Sequence, residues 1–90
     1  MRHPYLEVTY RHGRVLTAYY HVASRVGRKS HKTRRIEPGL VVDYARDGEP
    51  LGIEITAPSV ITLAAMNRVL RSLGLPPLKA SEFEPLRAAS

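Results

Sequence analysis

The residues with the clearest chemical potential are cationic and lie close together in the chain. Six basic side chains occur within eleven residues without an intervening acid: Arg25, Arg28, Lys29, Lys32, Arg34 and Arg35. The other eight of the 14 Lys and Arg residues balance the eight Asp and Glu residues, so this segment alone carries the formal net charge of +6. A solvated basic segment attracts an acidic protein, nucleic acid or anionic lipid. The segment lacks an apolar face, which disfavours lipid; a loop that its charges merely keep soluble is the remaining alternative.

Two acidic residues are candidates for proton transfer or metal binding. Asp43 and Glu54 fall on two strands that we expect to pair, and there they would lie diagonally opposite, about 7–8 Å apart. Paired carboxylates serve acid–base chemistry, but these two lack an accompanying nucleophile, and an open sheet face forms no cleft. We therefore expect a structural role on the polar face, with Asp43 accepting hydrogen bonds from turn amides.

The remaining polar residues give no recognisable reactive site. His3, His12, His21 and His31 show none of the close spacings of metal-binding histidines, and the serines and glycines form neither a nucleophile elbow nor a phosphate loop. The five tyrosines fall on predicted strands, where packing is the expectation and base stacking the alternative. They are Tyr5, Tyr10, Tyr19, Tyr20 and Tyr44. The sequence thus predicts no catalytic residue, no metal and no cofactor.

Length and composition limit the architecture that must position these side chains. Ninety residues, 43% of them hydrophobic, fit one small domain spanning 1–90. The absence of cysteine excludes a disulfide scaffold and thiolate chemistry. No apolar run reaches the roughly 20 residues that span a bilayer. The N-terminal residues lack the apolar segment of a signal peptide, so we expect a cytoplasmic protein without a membrane partner.

Two hairpins are predicted in the first two thirds of the chain. The first joins strands over 5–10 and 15–22 through His12-Gly13, and its predicted pairs are Tyr10–Val15, Val8–Thr17 and Leu6–Tyr19. The second joins 40–44 to 51–56 through a turn containing Asp47-Gly48. Its predicted pairs, Tyr44–Leu51, Val42–Ile53 and Leu40–Ile55, place six apolar residues on one face. Residues 23–35 are predicted to form an exposed basic loop.

A change to helical periodicity follows Pro58. Ser59 is the predicted N-cap of a helix over 60–73. Its apolar stripe comprises Leu63, Met66, Val69, Leu70 and Leu73, and its wet side includes Asn67, Arg68 and Arg71. Gly74 should end the helix, leaving a tail over 75–90 with one short turn anchored by Phe83 and Leu86. The predicted fold class is α+β: an antiparallel four-stranded sheet of two hairpins, one amphipathic helix and a short tail.

The strand over 15–22 is apolar on both faces, through Val15 and Tyr19 on one and Leu16 and Tyr20 on the other. One helix covers only part of a four-stranded sheet. The C-terminal tail or a second copy of the chain could cover the rest. Because uncovered apolar surface favours two-fold association, we expect a homodimer.

The second hairpin also carries a family resemblance. Residues 37–44 read Glu-Pro-Gly-Leu-Val-Val-Asp-Tyr, and Asp47-Gly48 and Leu51-Gly52-Ile53-Glu54-Ile55 follow. This pattern resembles the short prokaryotic proteins of the domain of unknown function 2283 family, over roughly residues 5–60. In that family Asp43, Gly48, Gly52 and Glu54 belong to the structural motif, whereas Arg11 and Arg14 stand where its members commonly carry Asp.

The resemblance implies no enzymatic activity. It implies a small binding protein, an antitoxin-like partner of a small toxin. Direct nucleic-acid binding through residues 25–35 is the alternative function.

Overall fold

A five-stranded antiparallel sheet and two helices form the protein. The computed structural model describes residues 4–22 and 29–88. The strands are β1 Tyr5–Arg11, β2 Arg14–His21, β3 Lys32–Glu37, β4 Leu40–Tyr44 and β5 Pro50–Ile55. The helices are α1 Leu63–Ser72 and α2 Ala80–Ala88. The strand order is β1-β2-β5-β4-β3, so β1 and β3 form the two edges of the sheet.

The prediction of four strands and one helix is therefore wrong, although the α+β class and the antiparallel sheet are found. The predicted basic loop becomes strand β3 from Lys32 onward, and β3 pairs with β4. Its side chains are exposed from Lys32 to Arg35, as an edge strand can be solvated on both faces. Only Ile36 contributes an apolar side chain to the core from this strand.

Each hairpin contains a β-bulge, and the predicted strand pairs are right on one side of the bulge and wrong on the other. In the second hairpin Val42 pairs with Ile53 and Leu40 with Ile55, as predicted, but Tyr44 pairs with Pro50.

In the first hairpin Tyr10 pairs with Val15, as predicted, whereas Val8 pairs with Ala18 and Leu6 with Tyr20. Leu16 is the additional residue in β2 at this shift. A bulge adds one residue to one strand, which moves every later pair by one position.

Both helices pack on one face of the sheet, here named the core face. The sheet contributes fully buried residues to it, including Leu40, Val42, Ile53 and Ile55. Met66, Val69 and Leu70 of the predicted α1 stripe are buried against them. Asn67 was expected on the wet side, but it is buried: its amide donates to the Leu78 carbonyl at 3.0 Å and accepts from the Leu78 N–H at 2.7 Å.

Helix α1 begins later than predicted. Thr62 is the N-cap, and its hydroxyl accepts from the Ala65 N–H at 3.0 Å. Residues 57–60 form a turn before the helix, in which the Val60 N–H donates to the Ala57 carbonyl, and Ile61 is buried. Gly74 follows the helix with a φ of 73°, as the predicted stop requires.

The predicted tail contains helix α2. Phe83 and Leu86, the predicted anchors of a short turn, are buried. Their burial stabilises a helix of nine residues that contains Pro85 in its interior. The Glu82 carboxylate accepts from the Lys79 N–H at 2.8 Å, which supports the helix start. In the part of the chain that the structure describes, neither helix is long and apolar enough to cross a membrane.

Candidate binding surface along strand β3

The structure places four of the six predicted basic residues. Arg25 and Arg28 lie outside the described residues. Lys29 is exposed ahead of β3, and Lys32, Arg34 and Arg35 are exposed within it. Three of these four cations therefore lie on a hydrogen-bonded strand whose backbone fixes their direction.

Strand β3 sorts its cations by alternation. Lys32 pairs with Tyr44 and Arg34 with Val42, so both lie on the core-face side of the sheet, beyond the helices. Arg35 pairs with Val41 on the opposite side. The unpaired edge of β3 is thus flanked by positive charge on both faces.

A hollow of about 440 Å³ lies between β3 and the β4–β5 turn, and we call it the basic hollow. His31, Lys32, Arg34, Tyr44 and Arg46 contribute to its walls, together with Ala45 and Gly48. The described residues lining it include no carboxylate. Arg46 is a functional candidate that the sequence pattern did not indicate, because it approaches the other cations only when the turn is folded beside β3.

The acid at the end of β3 is engaged elsewhere. The Arg68 guanidinium donates to both Glu37 oxygens, at 2.8 and 3.0 Å. This hydrogen-bonded pairing lowers the pKa of Glu37 and raises the pKa of Arg68. Arg68 was expected to be only a solvated helix residue; instead it holds Glu37, which leaves Lys32 and Arg34 without that neutralising partner.

The motif residues Asp43 and Gly52 lie on the face opposite the helices, here named the open face. Asp43 pairs with Gly52 and Glu54 with Val41, as the sequence predicted. The Tyr19 hydroxyl donates to the Asp43 carboxylate at 2.6 Å. A Cβ on Gly52 would lie 2.3 Å from the Tyr19 ring, so only glycine lets that ring cross the strand. Asp43 thus anchors a tyrosine, rather than the turn amides that we expected it to bind.

A second set of contacts adjoins it on the open face. The His21 ring is within hydrogen-bond distance of the Glu7 carboxylate, at 2.7 Å, and stacks on Tyr5 with 4.4 Å between ring centroids. Glu7 and His21 border a shallow cavity of about 280 Å³, which Tyr19 and Glu54 also line. Tyr19 and His21 are both committed to carboxylates, and within the described residues no group of three His, Asp or Glu side chains is placed to hold a metal.

Gly48 has the positive φ, 89°, that the β4–β5 turn requires, and Glu54 remains exposed. The four motif residues therefore act in the hairpin and on the open face, while the basic residues form a separate surface along β3.

Comparison of the chain with family models, with curated proteins and with solved structures finds no match. The resemblance of residues 37–55 to the domain of unknown function 2283 family stays a prediction.

Proposed function

We propose that this protein is a non-enzymatic, cytoplasmic binding protein that engages an acidic segment of another protein along β3. The observation that carries the proposal is the position of the cations: Lys32, Arg34 and Arg35 lie on an edge strand and are exposed. The antitoxin-like role implied by the family resemblance is one instance of such binding.

An edge strand offers backbone groups as well as charge. Alternate N–H and C=O groups of β3 point away from β4, and an extended segment can pair with them as a sixth strand. The paired backbone would supply affinity without reading the partner's sequence.

Charge then selects the partner. An added strand with acids at alternate positions would place carboxylates beside Lys32 and Arg34 and close to Arg46 across the basic hollow. Such pairs speed encounter and reject basic segments more than they raise affinity.

Nucleic acid is the second candidate, and the basic hollow is the observation that favours it. Three cations, Lys32 and Arg34 of β3 and Arg46 of the β4–β5 turn, surround one hollow that Tyr44 also lines. Converging cations bind phosphate, and an adjacent aromatic ring can stack on a base.

The experiment compares immobilised wild-type protein with the double variant Lys32→Glu/Arg34→Glu in nuclease-treated extract of the native host. Arg14→Glu/Lys79→Glu is the matched control, because it makes the same change in net charge at exposed residues outside the basic hollow. We expect a retained acidic protein to be lost from the β3 variant by at least about tenfold, or about 1.4 kcal/mol. Equal retention by all three baits would contradict the proposal.

A direct titration separates the second candidate. Labelled DNA of roughly 20 base pairs should bind wild-type protein with a log–log salt slope of about −0.9 per phosphate contacted if nucleic acid is the partner. Serine at Arg28, Lys29, Lys32, Arg34 and Arg35 should then abolish binding while circular dichroism shows an intact fold. Binding that survives this change would remove β3 as the nucleic-acid site.

A further inference from the structure

The other edge of the sheet, β1, carries balanced charge, whereas β3 is basic. Its seven residues carry one acid, Glu7, and one base, Arg11, and both are exposed. Tyr5 and Tyr10 are 51% and 50% exposed, and tyrosine is enriched at protein interfaces. Within the described residues, no backbone hydrogen bond joins β1 to an element other than β2.

We propose that β1 is the seam of a homodimer, in which β1 of a second copy pairs antiparallel with it around Thr9. The two sheets would then continue as one ten-stranded sheet. This inference rests on the residue pattern of β1 and does not depend on the proposed function of β3.

The backbone supports this pairing. His12 and Gly13 form a two-residue turn with φ of 53° and 77°, and Arg11 pairs with Arg14 across it. In such a hairpin the closing pair is hydrogen-bonded, so the groups of every second residue of β1 face β2 and those between them face outward. The outward groups belong to Leu6, Val8 and Tyr10, and a two-fold axis at Thr9 would match each Val8 with a Tyr10 of the second copy. These two pairs can exchange four N–H···O bonds.

The side chains favour the same register. With Thr9 opposite its own copy, Glu7 lies opposite Arg11, and Val8 lies opposite Tyr10, each contact occurring twice. Opposite charges, threonine pairs and aromatic–β-branched pairs are the cross-strand combinations that stabilise antiparallel sheets. The additional residue at the hairpin shift, Leu16, belongs to β2, so β1 itself alternates regularly through Thr9.

Self-pairing at the β3 edge is disfavoured by the same criterion. An axis at Arg34 places that residue opposite itself, and an axis at Thr33 places Lys32 opposite Arg34. Like charges directly opposite each other destabilise strand pairing. The charges therefore direct a second copy to β1 and away from β3.

Sedimentation equilibrium of the full chain, over micromolar to millimolar concentration, tests the proposal. We expect wild-type protein to approach twice the 10.1 kDa monomer mass. Glu7→Arg and Arg11→Glu should each weaken the dimer at least tenfold, because each creates like-charge pairs at the seam. The double variant Glu7→Arg/Arg11→Glu should recover to within threefold of wild type.

The charge swap separates the seam from a merely local effect. Glu7 also contacts His21 within its own chain, but Glu7 and Arg11 are four residues apart on one strand and cannot compensate each other there. Recovery in the double variant therefore reports contact between copies. Circular dichroism checks that each variant is folded.

A wild-type protein that stays monomeric at all concentrations would overturn the proposal. So would a dimer that Glu7→Arg leaves unchanged, or a double variant that stays monomeric. Lys32→Glu/Arg34→Glu should leave the dimer intact, so failure of the β3 proposal and failure of the β1 proposal are distinguishable.

Discussion

The two edges of one sheet, β1 and β3, present the same backbone with opposite side-chain chemistry. On β1 a single acid, Glu7, and a single base, Arg11, have the spacing that the proposed dimer requires. On β3 the cations lie together, and the one acid, Glu37, is bound by Arg68. In the proposed dimer, charge spacing would let one edge accept a second copy while the other edge rejects it.

Two adjacent residues of helix α1, Asn67 and Arg68, hold the β1 side and the β3 side of the molecule. Asn67 is buried and holds Leu78, just before the helix that packs beside β1. Arg68 is exposed and holds Glu37 at the end of β3. The hydrogen bonds that hold the β1 side are therefore buried and those that hold the end of β3 are exposed. We expect removal of the buried bonds to destabilise the fold more.

The largest effect is expected for Asn67→Ala. It leaves the buried N–H and C=O of Leu78 without their partner, at a cost of about 3 kcal/mol. The melting temperature should fall by about 12–24 °C, and dimerisation through β1 should weaken with it. Arg71→Ala, on the exposed side of the same helix, is the control and should change stability by less than about 0.5 kcal/mol. Equal melting temperatures for Asn67→Ala and wild type would show that the Asn67 hydrogen bonds do not support the β1 side.

A smaller loss is expected for Gly52→Ala, midway between the edges. The new Cβ displaces the Tyr19 ring, which costs about 1–2 kcal/mol as the ring gives up its contacts. Urea denaturation measures the change. Because β5 lies in the middle of the sheet, β1 and β3 binding should decline together; a decline at one edge alone would break the comparison.

Tyr19→Phe should cost less, about 1 kcal/mol, because it removes the hydroxyl donor to Asp43 and keeps the ring. Chemical denaturation of the single variants and of Gly52→Ala/Tyr19→Phe gives their coupling. We expect the double variant to be no less stable than Gly52→Ala alone, since a displaced ring has already lost the hydrogen bond. Strict additivity would contradict this account of Gly52.

The smallest effect is expected at the ion pair beside β3. The pKa of Glu37 is lowered by Arg68, so the pair contributes stability above the ordinary value of 4.5 and loses it as the pH falls through the lowered folded-state pKa. A double-mutant cycle with Glu37→Gln and Arg68→Met measures the coupling. It should be small at pH 7, screened by high salt and absent in acid. A coupling that persists in acid would assign the interaction to packing rather than charge.

Alternation of apolar and polar residues predicted the strands that have one buried face. The β4–β5 hairpin, with apolar residues on one face and Asp43 and Glu54 on the other, was predicted closely because one side is buried. Strand β3 was missed because solvated side chains on both faces of an edge erase the alternation. The bulges were missed for a different reason: one additional residue such as Leu16 leaves no compositional trace.

The candidate site was predicted in part for a similar reason. A run of like charges is visible in a linear sequence, so Lys32, Arg34 and Arg35 were found. Arg46 and Tyr44 come close to these cations only because the β4–β5 turn folds beside β3. The role of Asn67 depends on contact with Leu78, which is eleven residues further along the chain.

The contact between β1 and α2 has a consequence for how the chain is made. The Tyr10 hydroxyl donates to the Pro85 carbonyl at 3.5 Å, across 75 positions of sequence. Phe83 and Leu86, which help to cover the core face, leave the ribosome after every strand has emerged. Helix α1 emerges before α2 and covers part of the core face, so during translation the part that α2 covers must stay exposed until α2 arrives. That interval is when a chaperone or a neighbouring nascent chain would meet it.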